Sequence, residues 1–311
     1  MDTLREIILA RPRGFCAGVE RAIAIVELAL EKFGPPLYVK HAIVHNRNVV
    51  QRLEGMGVAF VEELAEVPEG ARLIFSAHGV SPAVREEAET RRLDVIDATC
   101  PLVTKVHIEA RRFAAQNRTI FLIGHAGHVE VIGTRGEAPG HVTVVGTVEE
   151  ARRVEPRDPK LVAFLTQTTL SLDDTRAIVE VLRTRFPALT APGKDDICYA
   201  TQNRQTAVQA LVERAEVVLV VGSANSSNSN RLVEVAKARG ASAHLVESYR
   251  EIDPQWLEGV ERVGVTAGAS APESVVSELV QWLAGNSQAE ISEIEVVEED
   301  VSFPLPAQLA R

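Results

Sequence analysis

The feature that most restricts this chain is a threefold internal repeat marked by cysteines. It holds three of them, Cys16, Cys100 and Cys198. Each falls where a strand-like segment gives way to a helix-like one: "EIILARPRGFCAGVERAIAIVELAL", "LDVIDATCPLVTKVHIEARRFAA" and "KDDICYATQNRQTAVQALVERA". In the first, Val19, Ile23, Val26, Leu30 and Phe33 form the stripe of an amphipathic helix. In the second, Pro101 suits a first helical turn, and in the third Thr201 or Asn203 suits a cap. A thiol at a helix N-terminus sits in positive potential, which favours thiolate.

The segments downstream of the cysteines recur too. A strand and polar cluster come next: "LYVKHAIVHN" with His45, "TIFLIGHAGHVE" with His128, and "VVLVVGSANSSNSN" with Ser226, Ser227 and Asn228. His45, His128 and Ser226 lie 29, 28 and 28 residues after their cysteines. A further strand and cluster then bring His78 in "RLIFSAHGVS", Thr168 in "LVAFLTQTTLS" and Ser270 in "VGVTAGASAPE", at offsets of 62, 68 and 72.

Repeats of this length are whole α/β units, and alternating strands and helices imply parallel sheets. The expectation is three pseudo-symmetric α/β domains with mainly parallel sheets around a central iron–sulfur cavity, because ligands gather at the carboxyl ends of such strands. The segments are 1–92, 93–190 and 191–286, with an acidic tail at 287–311, a flexible end or a strap.

Composition removes several functional classes. With 311 residues, 46% hydrophobic and 24% charged, the chain suits a multi-domain globular protein. No apolar run approaches the ~20 residues of a membrane span, and the N-terminus lacks the pattern of a secretory signal, so a cytoplasmic location is expected. A net charge of −10 argues against nucleic-acid or anionic-membrane partners. Three widely spread cysteines do not form a disulfide framework.

One cysteine per repeat, converging, makes a three-thiolate site. Soft thiolates select zinc or an iron–sulfur cluster, and the CxxC pairs usual for zinc are missing. A [4Fe–4S] cluster with three cysteine ligands leaves one open iron, at once Lewis acid and electron source. His45, His78, His128, Thr168, Ser226, Ser227, Asn228 and Ser270 are short polar donors suited to phosphate or diphosphate oxygens. Glu130 is the carboxylate inside these clusters, which makes it the candidate general acid. His125-x-x-His128-x-Glu130 also has the spacing of a mononuclear metal triad, but His125 has no counterpart in the other repeats. His41, His107, His141 and His244 lie outside the repeated positions and are read as surface or hydrogen-bonding residues.

The motifs "PRGFCAGVERAI", "VHN", "IFSAHGVS", "DATCPLVTKVH", "IGHAGHVEVIG", "TQTTLS", "DDICYATQNRQ", "GSANSSNSNRL" and "VTAGASAPE" closely resemble the 4-hydroxy-3-methylbut-2-enyl diphosphate reductase family from about residue 5 to residue 283. That family performs the last step of the non-mevalonate (methylerythritol phosphate) route to isoprenoids. The resemblance implies that Cys16, Cys100 and Cys198 hold the cluster, whose open iron takes the substrate hydroxyl. It implies that His45, His78, Ser226, Asn228 and Ser270 grip the diphosphate, with His128 and Ser227 contributing, and that Glu130 with Thr168 delivers protons. Two electrons and two protons remove the hydroxyl as water through an allyl-type intermediate, giving isopentenyl or dimethylallyl diphosphate.

Rival readings are a three-repeat [4Fe–4S] enzyme of the quinolinate synthase or diphthamide-forming type, a non-catalytic redox sensor, and a zinc hydrolase. With all three cysteines committed and no G-x-G-x-x-G fingerprint after a strand, the expected electron source is an external ferredoxin or flavodoxin.

Overall fold

A computed structural model describes residues 1 and 3–309. The first stretch runs β1 (Glu6–Arg11), α1 (Ala17–Phe33), β2 (Leu37–Lys40), α2 (Arg47–Gly55), β3 (Val58–Val61), β4 (Arg72–Phe75) and α3 (Pro82–Thr90). The second runs β5 (Asp94–Asp97), α4 (Pro101–Ala115), β6 (Thr119–Ile123), α5 (Val129–Gly136), β7 (Val142–Val145), α6 (Val148–Arg153), β8 (Val162–Thr166) and α7 (Leu172–Arg185). The third runs α8 (Tyr199–Val212), β9 (Val217–Val221), α9 (Ser227–Ala238), β10 (Ser242–Val246), β11 (Arg262–Ala267), α10 (Glu273–Gly285) and β12 (Glu290–Glu295).

The strands form three sheets in the orders β3-β2-β4-β5, β7-β6-β8 and β10-β9-β11-β1-β12, and every pairing is parallel. The three orders obey one rule. In each, the strand after the cysteine helix is flanked by an added strand and by the strand that ends in the later polar cluster. Next to that lies the strand that opens the succeeding repeat: β5, then an isolated bridge at Thr190 against Ala163, then β1. The sheets therefore run one strand out of step with the segments 1–92, 93–190 and 191–286, which divide the sequence rather than the sheets. The added strands β3, β7 and β10 carry no clear signal in the sequence; each is a short edge strand with mixed exposure.

Burial on both faces explains the unbroken apolar runs. In β9, Val217, Leu219 and Val221 pack with Val276, Leu279 and Leu283 of α10, while Val218 and Val220 pack with Val208 of α8 and Leu232 of α9. In β6, Phe121 and Ile123 face Ile178 and Leu182 of α7, and Ile120 and Leu122 face Val106, Ala110 and Phe113 of α4. A parallel sheet covered on both sides needs apolar residues at consecutive positions, not alternating ones.

Contacts divide the chain into two compact units. One comprises Met1–Ala17, His45–Val49 and Tyr199–Ser302; the other comprises Gly18–Val44, Val50–Cys198 and the described part of Phe303–Arg311. The tail is ordered into both. In the first unit, β12 pairs with β1, and Arg11 meets Glu293 and Glu295 along that edge. In the second, Arg21 donates to Pro304 O at 2.7 Å, Gln308 donates to Val95 O at 3.2 Å, and Leu309 is buried. No helix among the described residues is long and apolar enough to cross a membrane.

Two glycines are dictated by space near the strand ends. Gly14 has φ +67°, and a Cβ there would lie 3.1 Å from Ala271 O. A Cβ at Gly268 would lie 2.0 Å from Ser229 Oγ and 3.1 Å from Ser229 Cβ. Gly268→Ala is expected to destabilise the protein by ~1–3 kcal/mol, with a substantial part recovered in a Ser229→Ala background, as read by a double-mutant cycle in denaturant unfolding. A cycle showing no coupling rejects this packing.

Candidate functional site

The three cysteines are half-buried thiols, and each directly precedes or caps a helix: Cys16 before α1, Cys100 at the N-cap of α4, Cys198 before α8. The same backbone bond holds all three. Cys16 N donates to Ala269 O at 3.2 Å, Cys100 N to Ala77 O at 3.0 Å, and Cys198 N to Thr168 O at 3.1 Å. Each acceptor lies one residue before, or at, a polar-cluster residue: Ser270, His78 and Thr168. Beside Cys100, Arg21 donates to Ala98 O and Thr99 O, and its charge interacts with that thiol. Cys16 belongs to the first unit, Cys100 and Cys198 to the second.

The first unit gathers most of the hydroxyl and amide donors. Ser226 is the N-cap of α9, its Oγ accepting from Ser229 N at 3.3 Å and from Ser229 Oγ at 3.0 Å. Asn228, in the first turn of that helix, accepts from Ala269 N at 2.8 Å and donates to Thr201 Oγ1 at 3.3 Å. Ser270 Oγ donates to His45 O at 2.9 Å and lies 3.5 Å from Ser226 Oγ. Ser226, Asn228 and Ser270 are buried, Ser227 is half-buried, and both ring nitrogens of His45 are shielded from solvent. The structure thus joins His45, Ser226, Asn228 and Ser270 to the Cys16 loop through Ala269. A helix N-terminus with hydroxyl and amide donors is chemistry suited to an anion.

The second unit holds Glu130, Thr168, His128 and His78. Glu130, in the first turn of α5, is 3% exposed. Its Oε1 accepts from Thr168 N at 2.7 Å and its Oε2 from Thr168 Oγ1 at 2.9 Å. Burial pushes its carboxyl up to about 7; the Thr168 bonds oppose that rise and nearby Asp196 adds to it. A carboxyl near 7 holds a proton and can give it up at neutral pH. His128 caps α5, its Nδ1 accepting from Glu130 N at 3.2 Å, which leaves the proton of a neutral ring on the buried Nε2. His78 stands edge-on to His128 with ring centroids 6.0 Å apart, and its Nδ1 is 3.3 Å from Ser76 Oγ.

The carbonyl of His125 accepts from His128 N at 2.9 Å. The residue is exposed, and its backbone N–H donates to Gln167 Oε1 at 3.1 Å. Among the described residues no three His, Cys, Asp or Glu side chains gather to hold a single metal ion. Each cysteine by itself offers a half-buried thiol at a helix N-terminus, chemistry suited to thiolate ligation of a soft metal group.

Several supporting residues were given no role by the sequence, although Gln167, Asp196, His107 and Arg204 lie within the quoted motifs. Buried Gln167 braces the "GHAGH" loop through His125 N and donates to Thr169 Oγ1 at 2.8 Å. Asp196, buried two residues before Cys198, accepts from Thr166 N at 3.0 Å and from Lys105 at 2.8 Å. His107, buried on α4, meets Glu137 at the C-cap of α5 at 2.8 Å, so the helix of Cys100 is tied to the helix of Glu130. Burial pushes Glu137 up, but hydrogen bonds from His107 and Arg111 outweigh it and hold the carboxyl below its usual range. Arg204 is fully buried beneath the Cys16 loop. A polar residue inside an apolar helical face was the available signal for His107 and Arg204.

Known proteins are similar to this chain in sequence and in fold. The family model described as LytB protein matches residues 7–284. A 4-hydroxy-3-methylbut-2-enyl diphosphate reductase of Acidothermus cellulolyticus is 58% identical over 308 residues, covering 99% of this chain and 91% of the relative. The protein of that name from an Azoarcus species is 57% identical, covering 98% of this chain and 97% of its own. The solved E-1-hydroxy-2-methyl-but-2-enyl-4-diphosphate reductase of Plasmodium falciparum superposes with a TM-score of 0.95 at 40% identity, over 99% of this chain and 97% of that one. A second structure, of the (E)-4-hydroxy-3-methyl-but-2-enyl diphosphate reductase described as the terminal enzyme of the non-mevalonate pathway, matches with a TM-score of 0.63 at 33% identity, over 91% and 100% of the two chains. Matched in sequence and in fold across nearly its whole length, this chain belongs to the LytB family.

Proposed function

We propose that the protein is an iron–sulfur reductase that converts (E)-4-hydroxy-3-methylbut-2-enyl diphosphate to isopentenyl and dimethylallyl diphosphate, the last step of the methylerythritol phosphate pathway. The carrying observation is the recurrent presentation of Cys16, Cys100 and Cys198, each a half-buried thiol fixed at a helix N-terminus by the same backbone bond. These three would hold a [4Fe–4S] cluster. When bound, such a group supplies an iron open to the substrate hydroxyl and the route by which electrons arrive.

The chain's own residues supply the rest. His45, His78, Ser226, Ser227, Asn228 and Ser270 offer donors to the diphosphate, with His128 and Thr168 completing the set. Loss of the hydroxyl as water consumes two protons along with two electrons. Glu130 is the proton source, because its carboxyl is buried, held by Thr168 and near 7. A charged carboxylate beside diphosphate donors would repel the ligand, so the raised value serves binding as well as catalysis. Electrons come from a separate one-electron carrier of the ferredoxin or flavodoxin type, and the enzyme works in the cytoplasm.

After anaerobic reconstitution, Cys16→Ser, Cys100→Ser and Cys198→Ser should each lose most cluster iron and sulfide and all turnover. Full activity in any one of them overturns the three-thiolate reading.

Glu130→Gln should bind substrate and keep the cluster but lose turnover by about 10²–10⁴-fold. The same variant reports the raised carboxyl independently. The folded state holds this proton more tightly than the unfolded state, so stability from it is present below pH 4.5 and is lost as the pH rises through about 7. The unfolding free energy of Glu130→Gln should therefore gain on the wild type between about pH 5 and 8, toward roughly 3 kcal/mol. A pH-independent difference removes the raised carboxyl from the mechanism.

NADPH alone should support no substrate reduction, whereas NADPH with a carrier protein and its reductase should. Equal turnover in both assays would show that the chain binds nicotinamide itself.

A further inference from the structure

A fully buried charge lies behind the Cys16 loop. Arg204 of α8 has no exposed surface. Its Nε and Nη2 donate to Gly14 O at 3.0 and 2.7 Å, and Nη2 also reaches Phe15 O at 3.2 Å. Its Nη1 donates to Ala200 O at 3.0 Å. The remaining capacity goes to Glu299 of the tail, with Nη1 to Oε1 at 3.0 Å and Nη2 to Oε2 at 3.3 Å. Asn203 donates to the same carboxylate at 3.0 Å.

We propose that Arg204 is a positioning residue for the Cys16 loop and that Glu299 is its neutralising partner, so that the tail sets the electrostatic potential at this cluster ligand. The proposal rests on Cys16 being a ligand of the cluster. A buried guanidinium is costly unless paired, and an apolar residue of similar volume would fill the space with less penalty. A guanidinium adds a rigid fork of donors that holds two successive carbonyls immediately before the cysteine. Gly14 N to Ala267 O and Cys16 N to Ala269 O, both 3.2 Å, hold the other side of the same loop. The charges share one neighbourhood: the Tyr199 hydroxyl accepts from Ala17 N at 3.2 Å and interacts with Cys16, Glu299 and Arg204 together. In a poorly screened interior a unit charge at this position bears on the energy of adding an electron nearby. With Glu299 present the pair is neutral; without it a buried positive charge stabilises the reduced state.

The test uses the full-length protein with Glu299→Gln, Glu299→Asp and Arg204→Lys. Hydrogen exchange by mass spectrometry on the unreconstituted protein reads loop order without any cluster. Arg204→Lys should speed exchange in the peptide spanning residues 12–17 at least tenfold while leaving β6 unchanged. Redox titration of the anaerobically reconstituted proteins should show a more positive midpoint potential for Glu299→Gln, with Glu299→Asp returning toward wild type. An unshifted potential in Glu299→Gln, or exchange in Arg204→Lys that is unchanged or accelerated equally in β6, overturns the proposal. If the wild type itself binds no cluster, the ligand reading of Cys16 falls and takes the proposal with it. A loaded wild type with unshifted variants removes the proposal alone.

Discussion

A single backbone hydrogen bond, used three times, underlies the rest of the structure. In each case the N–H of a cysteine reaches a carbonyl just past the end of a parallel strand: β11 for Cys16, β4 for Cys100, β8 for Cys198. The bond fixes where the next helix begins. It also puts the thiol beside the polar cluster that the strand delivers. A thiol held by backbone geometry at a helix N-terminus is presented to a ligand without relying on a flexible side chain, and the helix end favours its ionised form. The strand order repeats for the same reason, since each cysteine is paired with the strand end of the preceding repeat, taken cyclically.

Glu130 shows how the same scaffold tunes a titratable group. Its carboxyl receives two hydrogen bonds from Thr168, which alone would favour ionisation. Burial wins, and the value settles near 7 rather than far above it because those bonds are present. Thr168 therefore acts twice. Its carbonyl anchors Cys198 while its N–H and hydroxyl set the protonation of Glu130. The His107–Glu137 contact adds a second tie within that unit, between the helix that starts at Cys100 and the helix that carries Glu130.

Most of the candidate site residues stand out in the sequence because the repeat places them at similar offsets from a cysteine. Ser226 and Ser270 would read as ordinary polar loop residues if taken singly. Their counterparts His45, His128, His78 and Thr168 raise them above that. The supporting residues had no such signal. Asp196 and Arg204 act on backbone groups outside their own segments and Gln167 on a loop 42 residues away, and beyond its place on an apolar helical face nothing marks Arg204 until Gly14 O and Phe15 O are found against it. The tail was open between a loose end and a strap. Its acidity suggested solvent, yet Glu299 is the partner of a buried cation and Glu290–Glu295 is a strand.

The sequence by itself determined the α/β alternation, the parallel pairing, the positions of the three thiols and the candidate proton donor, because each follows from periodicity or from residue type at a recurring spacing. Tertiary structure decided the rest: the one-strand offset between repeats and sheets, the edge strands β3, β7 and β10, the depth of Glu130 and the burial of Arg204. Periodicity reports which faces of an element are apolar, but it carries no information about which strand end meets which cysteine. That choice is made by backbone hydrogen bonds, which nearly every residue type can form, and by desolvation, which depends on everything packed around a group rather than on the group itself.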